Sequence, residues 1–315
     1  MSYQIQPLES FRLGRYQLPI PCYLCNHDNL YDAPLCRHCT APLDLARSFA
    51  ETQVRPQIWM TLGADGVGKS VFLGTLLDIL SRQRSRTEFL TNDAASIVIQ
   101  KEVMAALARQ EFPDRTSPRA EDWRWAHCRL HRRTRKEPLS VFFVDLAGSA
   151  ILREIETPHS FPVIRGLFEK STGVFLVMDA ARIQAGDKDE EFFAMEIMSH
   201  LSDMRARQRP TSPSPTRRTR FVGPAMPPVA IALAKGDQCP ACFDNPRDFA
   251  TGQLPGVVRC CEELLSQFEF FGVSAVGGVA TVKPPSGPSS EVPLRVEPRG
   301  ILEPFRWLVR NVTPS

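Results

Sequence analysis

The sequence predicts a three-layer α/β fold: a mostly parallel sheet with one antiparallel strand, helices on both faces, and a small N-terminal metal-bound module. Three observations carry that expectation. Apolar runs of strand length (Gln57–Leu62, Leu139–Asp145, Thr172–Asp179 and Val229–Ala234) alternate with segments of helical period, the pattern of strands buried on both faces. The first run passes through a glycine-rich loop directly into a helix, Val71–Leu80. Ahead of it lie two C-x₂-C knuckles, Cys22–Cys25 and Cys36–Cys39, ten residues apart.

With 315 residues, 43% of them hydrophobic, the chain is long enough for one large domain or two smaller ones around a sizeable core. The net charge is only +3 and both signs are mixed along the chain, which gives no argument for a nucleic-acid or membrane partner. No apolar run reaches bilayer length; the most apolar stretch, Phe270–Val282, is short and glycine-rich. Met1–Gln6 lacks the basic start and apolar stretch of a signal peptide, and the nine cysteines are an odd number. Thiols and metal ligands are therefore expected rather than disulfides, in a soluble, cytoplasmic protein.

Each element carries its own chemistry. Gly63-Ala-Asp-Gly-Val-Gly-Lys69-Ser70 fits G-x-x-x-x-G-K-[ST] at every fixed position. Its glycines let successive N–H groups face one anion, and the following helix adds its positive dipole end. Gly63, Asp65, Gly66, Gly68, Lys69, Ser70 and Val71 are thus expected around nucleotide phosphates, with Lys69 on the β- and γ-phosphates and the Ser70 hydroxyl on Mg²⁺. In the N-terminal module, residues 1–48, Cys22, Cys25, Cys36 and Cys39 supply four thiolates for a closed tetrahedral Zn²⁺ site. The metal would supply folding energy that so short a segment cannot get from a core.

Later segments add parts at matching places. Leu139–Val144 reads as a central strand ending in Asp145-Leu-Ala-Gly148; Asp145 is placed to reach Mg²⁺ through water, and the Gly148 N–H to contact a γ-phosphate. Ser96–Arg109 reads as a helix, Glu111–Pro118 as a turn-rich loop, and Trp123–His131 as a strand able to pair with Val141–Val144. Thr116 in that loop is the candidate switch threonine for Mg²⁺, with Thr87 and Thr91 as alternatives. Ala234-Lys235-Gly236-Asp237 resembles the N-K-x-D guanine-reading motif, with Ala234 where Asn is usual. Ser274-Ala275 resembles the S-A-x motif whose backbone contacts guanine O6. A helix near Gly256–Phe268 separates the two, and Ile301–Val312 closes the chain as a helix. Residues 207–222 read as a basic, disordered Pro/Ser/Thr linker, and 283–300 as a mobile Pro/Ser-rich loop.

In this order the motifs resemble GTPases of the TRAFAC (translation-factor-related) class, over residues 55–315. The F-P-x-x-T loop, the D-L-A-G ending and the zinc ribbon ahead of the domain resemble most the prokaryotic double-GTPase proteins, and among them the second subfamily. The resemblance implies GTP/GDP binding and slow hydrolysis, in multi-gene bacterial conflict or immunity systems beside a partner GTPase or activating protein. It places Lys69, Thr116, Asp145 and Gly148 at the reacting phosphate, and Lys235, Asp237, Ser274 and Ala275 on guanine. Many small GTPases carry a glutamine after D-x-x-G to orient water; here Ser149 is too short, so hydrolysis is expected to be slow without a partner's arginine or glutamine. Arg115 is a possible source of such an arginine in cis.

Two other readings compete. Ala234 favours an ATPase or phosphotransferase, and Ser149 favours a nucleotide-binding scaffold that hydrolyses nothing and assembles partners through the zinc ribbon. A second metal site from Cys239, Cys242, Cys260 and Cys261 is weaker, because buried thiols are the default state of such cysteines.

Overall fold

The computed structural model describes residues 18–82, 87–91, 95–119, 122–132, 138–207, 226–283 and 290–312. The 208–222 part of the expected linker lies outside them. A short hairpin, β1 (Pro19–Pro21) and β2 (Asp28–Leu30), and helix α1 (Asp44–Thr52) come first. The main sheet is built from β3 (Gln57–Leu62), β4 (Thr87–Thr91), β5 (Arg124–Arg132), β6 (Leu139–Asp145), β7 (Ser171–Asp179), β8 (Val229–Ala234) and β9 (Phe268–Gly272). Their spatial order is β4-β5-β6-β3-β7-β8-β9, and β5 alone runs against the others.

Helices α2 (Lys69–Arg82) and α3 (Ala95–Ala108) precede β5, and α4 (Gly148–Glu156) and α5 (Pro162–Lys170) precede β7. After β7 come α6 (Ala180–Gln184) and α7 (Asp189–Arg207); α8 (Ala241–Asp244), α9 (Pro246–Gln253) and α10 (Pro255–Leu264) follow β8. The hairpin β10 (Gly278–Val282) and β11 (Ser290–Arg295) and the helix α11 (Leu302–Asn311) complete the chain.

The apolar runs become central strands because every residue of β3 and β8 is buried. Alternate side chains of β3 then divide the core in two. Trp59 faces a layer containing Phe72 and Leu76 of α2, Ile99 of α3 and Phe305 of α11. Ile58, Met60 and Leu62 face Ile151 of α4, Phe168 of α5, Ile197 of α7 and Val257 of α10. This is the expected three-layer arrangement.

Two segments depart from the sequence reading. Thr87–Thr91 forms edge strand β4, paired with β5. Ser290–Arg295, expected inside a mobile loop at 283–300, is instead strand β11, antiparallel to β10 with a register shift beside Val279. The β-branched residues of Gly278–Val282 can pair along a ladder, and Pro293 is tolerated because this ribbon has two strands and each is an edge. Arg299 then exchanges backbone hydrogen bonds with Ser274 at 2.9 and 2.8 Å.

The N-terminal module packs onto the main domain. Leu24 and Leu43 share a buried cluster with Ile164 and Phe168 of α5. Lys170 donates to the Tyr23 carbonyl and lies 4.7 Å from the centre of its ring. The Trp123 indole N–H donates to Thr40 Oγ1 at 3.3 Å.

Candidate functional site

The chain leaves β3 in one direction, toward β6, and later returns on its other side to β7. Loops at the carboxyl ends of neighbouring strands therefore diverge and leave a crevice, where ligands of open α/β sheets bind. A cavity of about 270 Å³ lies there, reaching from Gly66 and Ser70 past Thr116 to Asp237 and Ala275.

One end of it is the loop between β3 and α2, where the sequence reading expects nucleotide phosphates. Gly66 and Gly68 have φ of +82° and +94°, left-handed values that residues with a Cβ adopt only with strain. Lys69 Nζ donates to the carbonyls of Gly63 and Ala64 at 2.9 and 2.8 Å. Burial pulls the Lys69 pKa down, while Asp145 and Asp65 act against the shift. The Gly148 N–H donates to Asp65 Oδ1 at 2.8 Å.

The three oxygens expected at Mg²⁺ come together from three separate segments. Ser70 Oγ donates to Asp145 Oδ2 at 2.7 Å and lies 2.9 Å from Thr116 Oγ1. Asp145 is fully buried, and its Oδ1 has no partner among the described residues. Small, hard oxygen donors with an unsatisfied carboxylate fit a divalent cation such as Mg²⁺. Thr91 pairs with Cys128, which pairs with Val141 near the start of β6, well back along that strand from Asp145; Thr87 lies further back still. One group in this cluster is not evident from any motif: Arg124 Nη2 lies 2.7 Å from Asp145 Oδ2 and 2.9 Å from Ser70 Oγ.

At the other end of the cavity, Asp237 Oδ1 accepts the Ser274 hydroxyl at 2.6 Å, and its Oδ2 has no partner among the described residues. Lys235, at φ +59°, reaches Asp179 Oδ2 at 2.6 Å. Asp179 also caps α6 through its Oδ1, which accepts the Ala181 and Arg182 N–H groups at 3.0 and 3.1 Å. Sequence reading missed Asp179 as a functional position, although a carboxylate at the end of an apolar strand was a visible signal. Ala234 is buried and lines the cavity without a polar group. Val71 and Ala275 line it too, and so do Val279 and Glu291 of the unforeseen hairpin. Arg115 is exposed at the rim.

In the zinc module the four thiols converge, with every Sγ within 4.8 Å of the others. Cys22 and Cys39 are 3.5 Å apart and Cys25 and Cys36 3.7 Å. Tetrahedral Zn–S bonds of about 2.3 Å require S···S separations of about 3.8 Å, so the set fits zinc. The hydrogen bond from Cys39 pulls Cys22 down to about 5, and the same bond, with burial, drives Cys39 far up. Burial pushes Cys25 up to about 11. Among the described residues no such cluster forms from Cys239, Cys242, Cys260 and Cys261. Cys261 instead packs its thiol 3.4 Å from Met198 sulfur, and burial pushes Cys242 and Cys261 up to about 12, as for inert core thiols.

Fold and site together define a P-loop domain of the GTPase type. The chain belongs to the Double-GTPase 1 family, which matches residues 60–285. The loop features had pointed within the double-GTPase proteins to the second subfamily; the matching family is the first. Similar solved structures include the GTP-bound Ski7 GTPase-like domain of S. cerevisiae, at 15% identity and a TM-score of 0.40 over 72% of this chain. This chain spans 44% of that one. The small COPII coat GTPase SAR1 of Encephalitozoon cuniculi, with GDP, has 13% identity and a TM-score of 0.35, covering 82% of this chain and 80% of its own. No curated protein matches the chain. No described helix is long and apolar enough to cross a membrane.

Proposed function

We propose that this chain is a Mg²⁺-dependent molecular switch that binds GTP and GDP and hydrolyses GTP slowly. The observation that carries the reading is one cavity with two chemically distinct ends: Lys69 and the Ser70, Thr116 and Asp145 oxygens at one, and at the other an Asp237 carboxylate oxygen that has no partner among the described residues.

Lys69 leaves the Gly63 and Ala64 carbonyls to hold the β- and γ-phosphate oxygens, and the Gly148 N–H leaves Asp65 to meet the γ-phosphate. Ser70, Thr116 and Asp145 would hold Mg²⁺, which would neutralise phosphate charge when bound. Asp237 accepts from the guanine N–H groups, and Asp179 fixes the Lys235 stem beside the base. The Ser149 side chain is too short to orient a water as the usual glutamine does, so rapid turnover needs a group from a partner. The resemblance of the motifs to prokaryotic double-GTPase proteins supports a cytoplasmic role in a bacterial conflict-type system with a partner GTPase or activating protein, and the docked N-terminal module offers a second surface for such proteins.

The test is binding of GTP, GDP and ATP to purified protein with Mg²⁺, beside Lys69→Ala. Tight guanine binding abolished by Lys69→Ala supports the switch. Preference for ATP, which Ala234 favours as the second reading, rejects the guanine assignment and keeps the phosphate loop. Nucleotide binding without turnover in a long single-turnover assay supports a scaffold.

A further inference from the structure

Arg124 stands where the metal is expected. It is the first residue of β5, and the β5–β6 register sets it directly opposite Asp145. The antiparallel ladder therefore delivers a guanidinium to the end of β6 whether or not a ligand is there. Its Nη2 lies 2.7 Å from Asp145 Oδ2, 2.9 Å from Ser70 Oγ and 3.5 Å from Thr116 Oγ1. These are the same three residues expected to hold Mg²⁺.

We propose that Arg124 is the resident cation of this position, displaced when Mg²⁺ arrives with nucleotide, and that it thereby sets the site's affinity for divalent cations. The inference deepens the Mg²⁺-dependent reading above and rests on it.

Three details make the guanidinium a placeholder rather than a permanent partner. Among the described residues it leaves Asp145 Oδ1 without a partner, although the residue is fully buried, and its own Nε is also unpartnered. A divalent ion with near-octahedral demand and a second unit of charge satisfies those oxygens better, above all with phosphates beside it. Arg124 also has somewhere to go: Nη1 is held at 2.9 Å by Glu102, a half-exposed carboxylate on α3. A displaced side chain keeps that partner at the solvent edge.

Before Mg²⁺ arrives, the guanidinium adds a charged partner for the buried Asp145 carboxylate beside the Ser70 hydroxyl. The site is thus held ready without metal, and metal without phosphates competes poorly for it.

The test titrates Mn²⁺, read by electron paramagnetic resonance, into nucleotide-free wild type, Arg124→Gln, and Arg124→Gln with Asp145→Asn. Charge-assisted hydrogen bonds of this kind imply that Arg124→Gln tightens Mn²⁺ binding by roughly tenfold or more. The added Asp145→Asn should remove that gain. A second arm follows a fluorescent GDP against free Mg²⁺, and half-saturation should fall by about the same factor in Arg124→Gln. Should Arg124→Gln fold poorly, Arg124→Lys retains the charge without bridging three oxygens, and its Mn²⁺ affinity should be intermediate. Equal Mn²⁺ affinity in wild type and the folded variant overturns the proposal. A Mn²⁺ gain in a protein that binds no GDP keeps the role of Arg124 and rejects the guanine switch.

Discussion

Asp237→Asn tests the base end of the cavity. In the structure one Asp237 oxygen accepts the Ser274 hydroxyl and the other has no partner among the described residues. Guanine presents two parallel N–H donors, and each charge-assisted bond contributes about 1.5–3 kcal/mol. Asp237 is partly exposed, so the lower figure applies, and two bonds give about 3 kcal/mol. At 1.4 kcal/mol per tenfold, GDP and GTP affinity should fall by roughly a hundredfold. An amide turns an N–H₂ toward the guanine donors, so the loss includes a donor–donor clash. Xanthine carries a carbonyl where guanine has its amino group, and that carbonyl accepts from the new amide. XDP should therefore gain affinity as GDP loses it, with ATP unchanged. Displacement of a fluorescent GDP analogue by GDP, XDP and ATP reads all three. A GDP affinity within about threefold of wild type, with no gain for XDP, would refute the claim that Asp237 reads the base.

Other outcomes are expected from other parts of the molecule. Metal analysis of purified protein should find one zinc per chain, and Cys39→Ser should lower both zinc content and melting temperature, because about 10–16 kcal/mol of binding energy holds such a ribbon together. Gly166→Val should loosen the docked ribbon: a Cβ there would lie 2.7 Å from the Leu24 carbonyl oxygen, and such overpacking costs about 1–3 kcal/mol, visible as faster proteolysis between ribbon and main domain. Burial holds the Glu190 pKa above its ordinary 4.5, against the hydrogen bond from the Asp179 N–H and the nearby Arg182, which pull it down. The folded form thus binds this proton more tightly than the unfolded chain, and its contribution to stability is lost as pH rises from 4.5 through the folded value. Glu190→Gln should flatten that part of the melting-temperature profile, and identical profiles for variant and wild type would contradict the assignment.

Much of the phosphate end was legible from the sequence because its chemistry is local. A cradle of consecutive N–H groups needs consecutive residues, so Gly63–Ser70 announces itself as a string. Zinc chelation by paired knuckles is local in the same way, and Cys22, Cys25, Cys36 and Cys39 converge as their spacing implies. Continuous apolar runs marked β3, β6, β7 and β8, since strands buried on both faces have no polar side to show. Thr116 was harder, because a loop threonine carries no pattern of its own; its place beside Ser70 depends on how α3 hands the chain to β5. The hairpin β10–β11 was hidden by Pro293 and the surrounding Pro/Ser composition, which weigh toward a loop until a partner strand is present.

The sequence by itself marked the glycine loop Gly63–Ser70, the four cysteines that converge and the apolar strands at the centre of the sheet. Tertiary structure decided which distant residues meet. Antiparallel register, not spacing, sets Arg124 opposite Asp145, and a left-handed turn at Lys235 brings it to Asp179. Close packing of Leu24 and Leu43 against α5 fixes the ribbon to the main domain. Those meetings depend on strand pairing and burial between segments far apart in the chain, and a linear pattern carries no record of either.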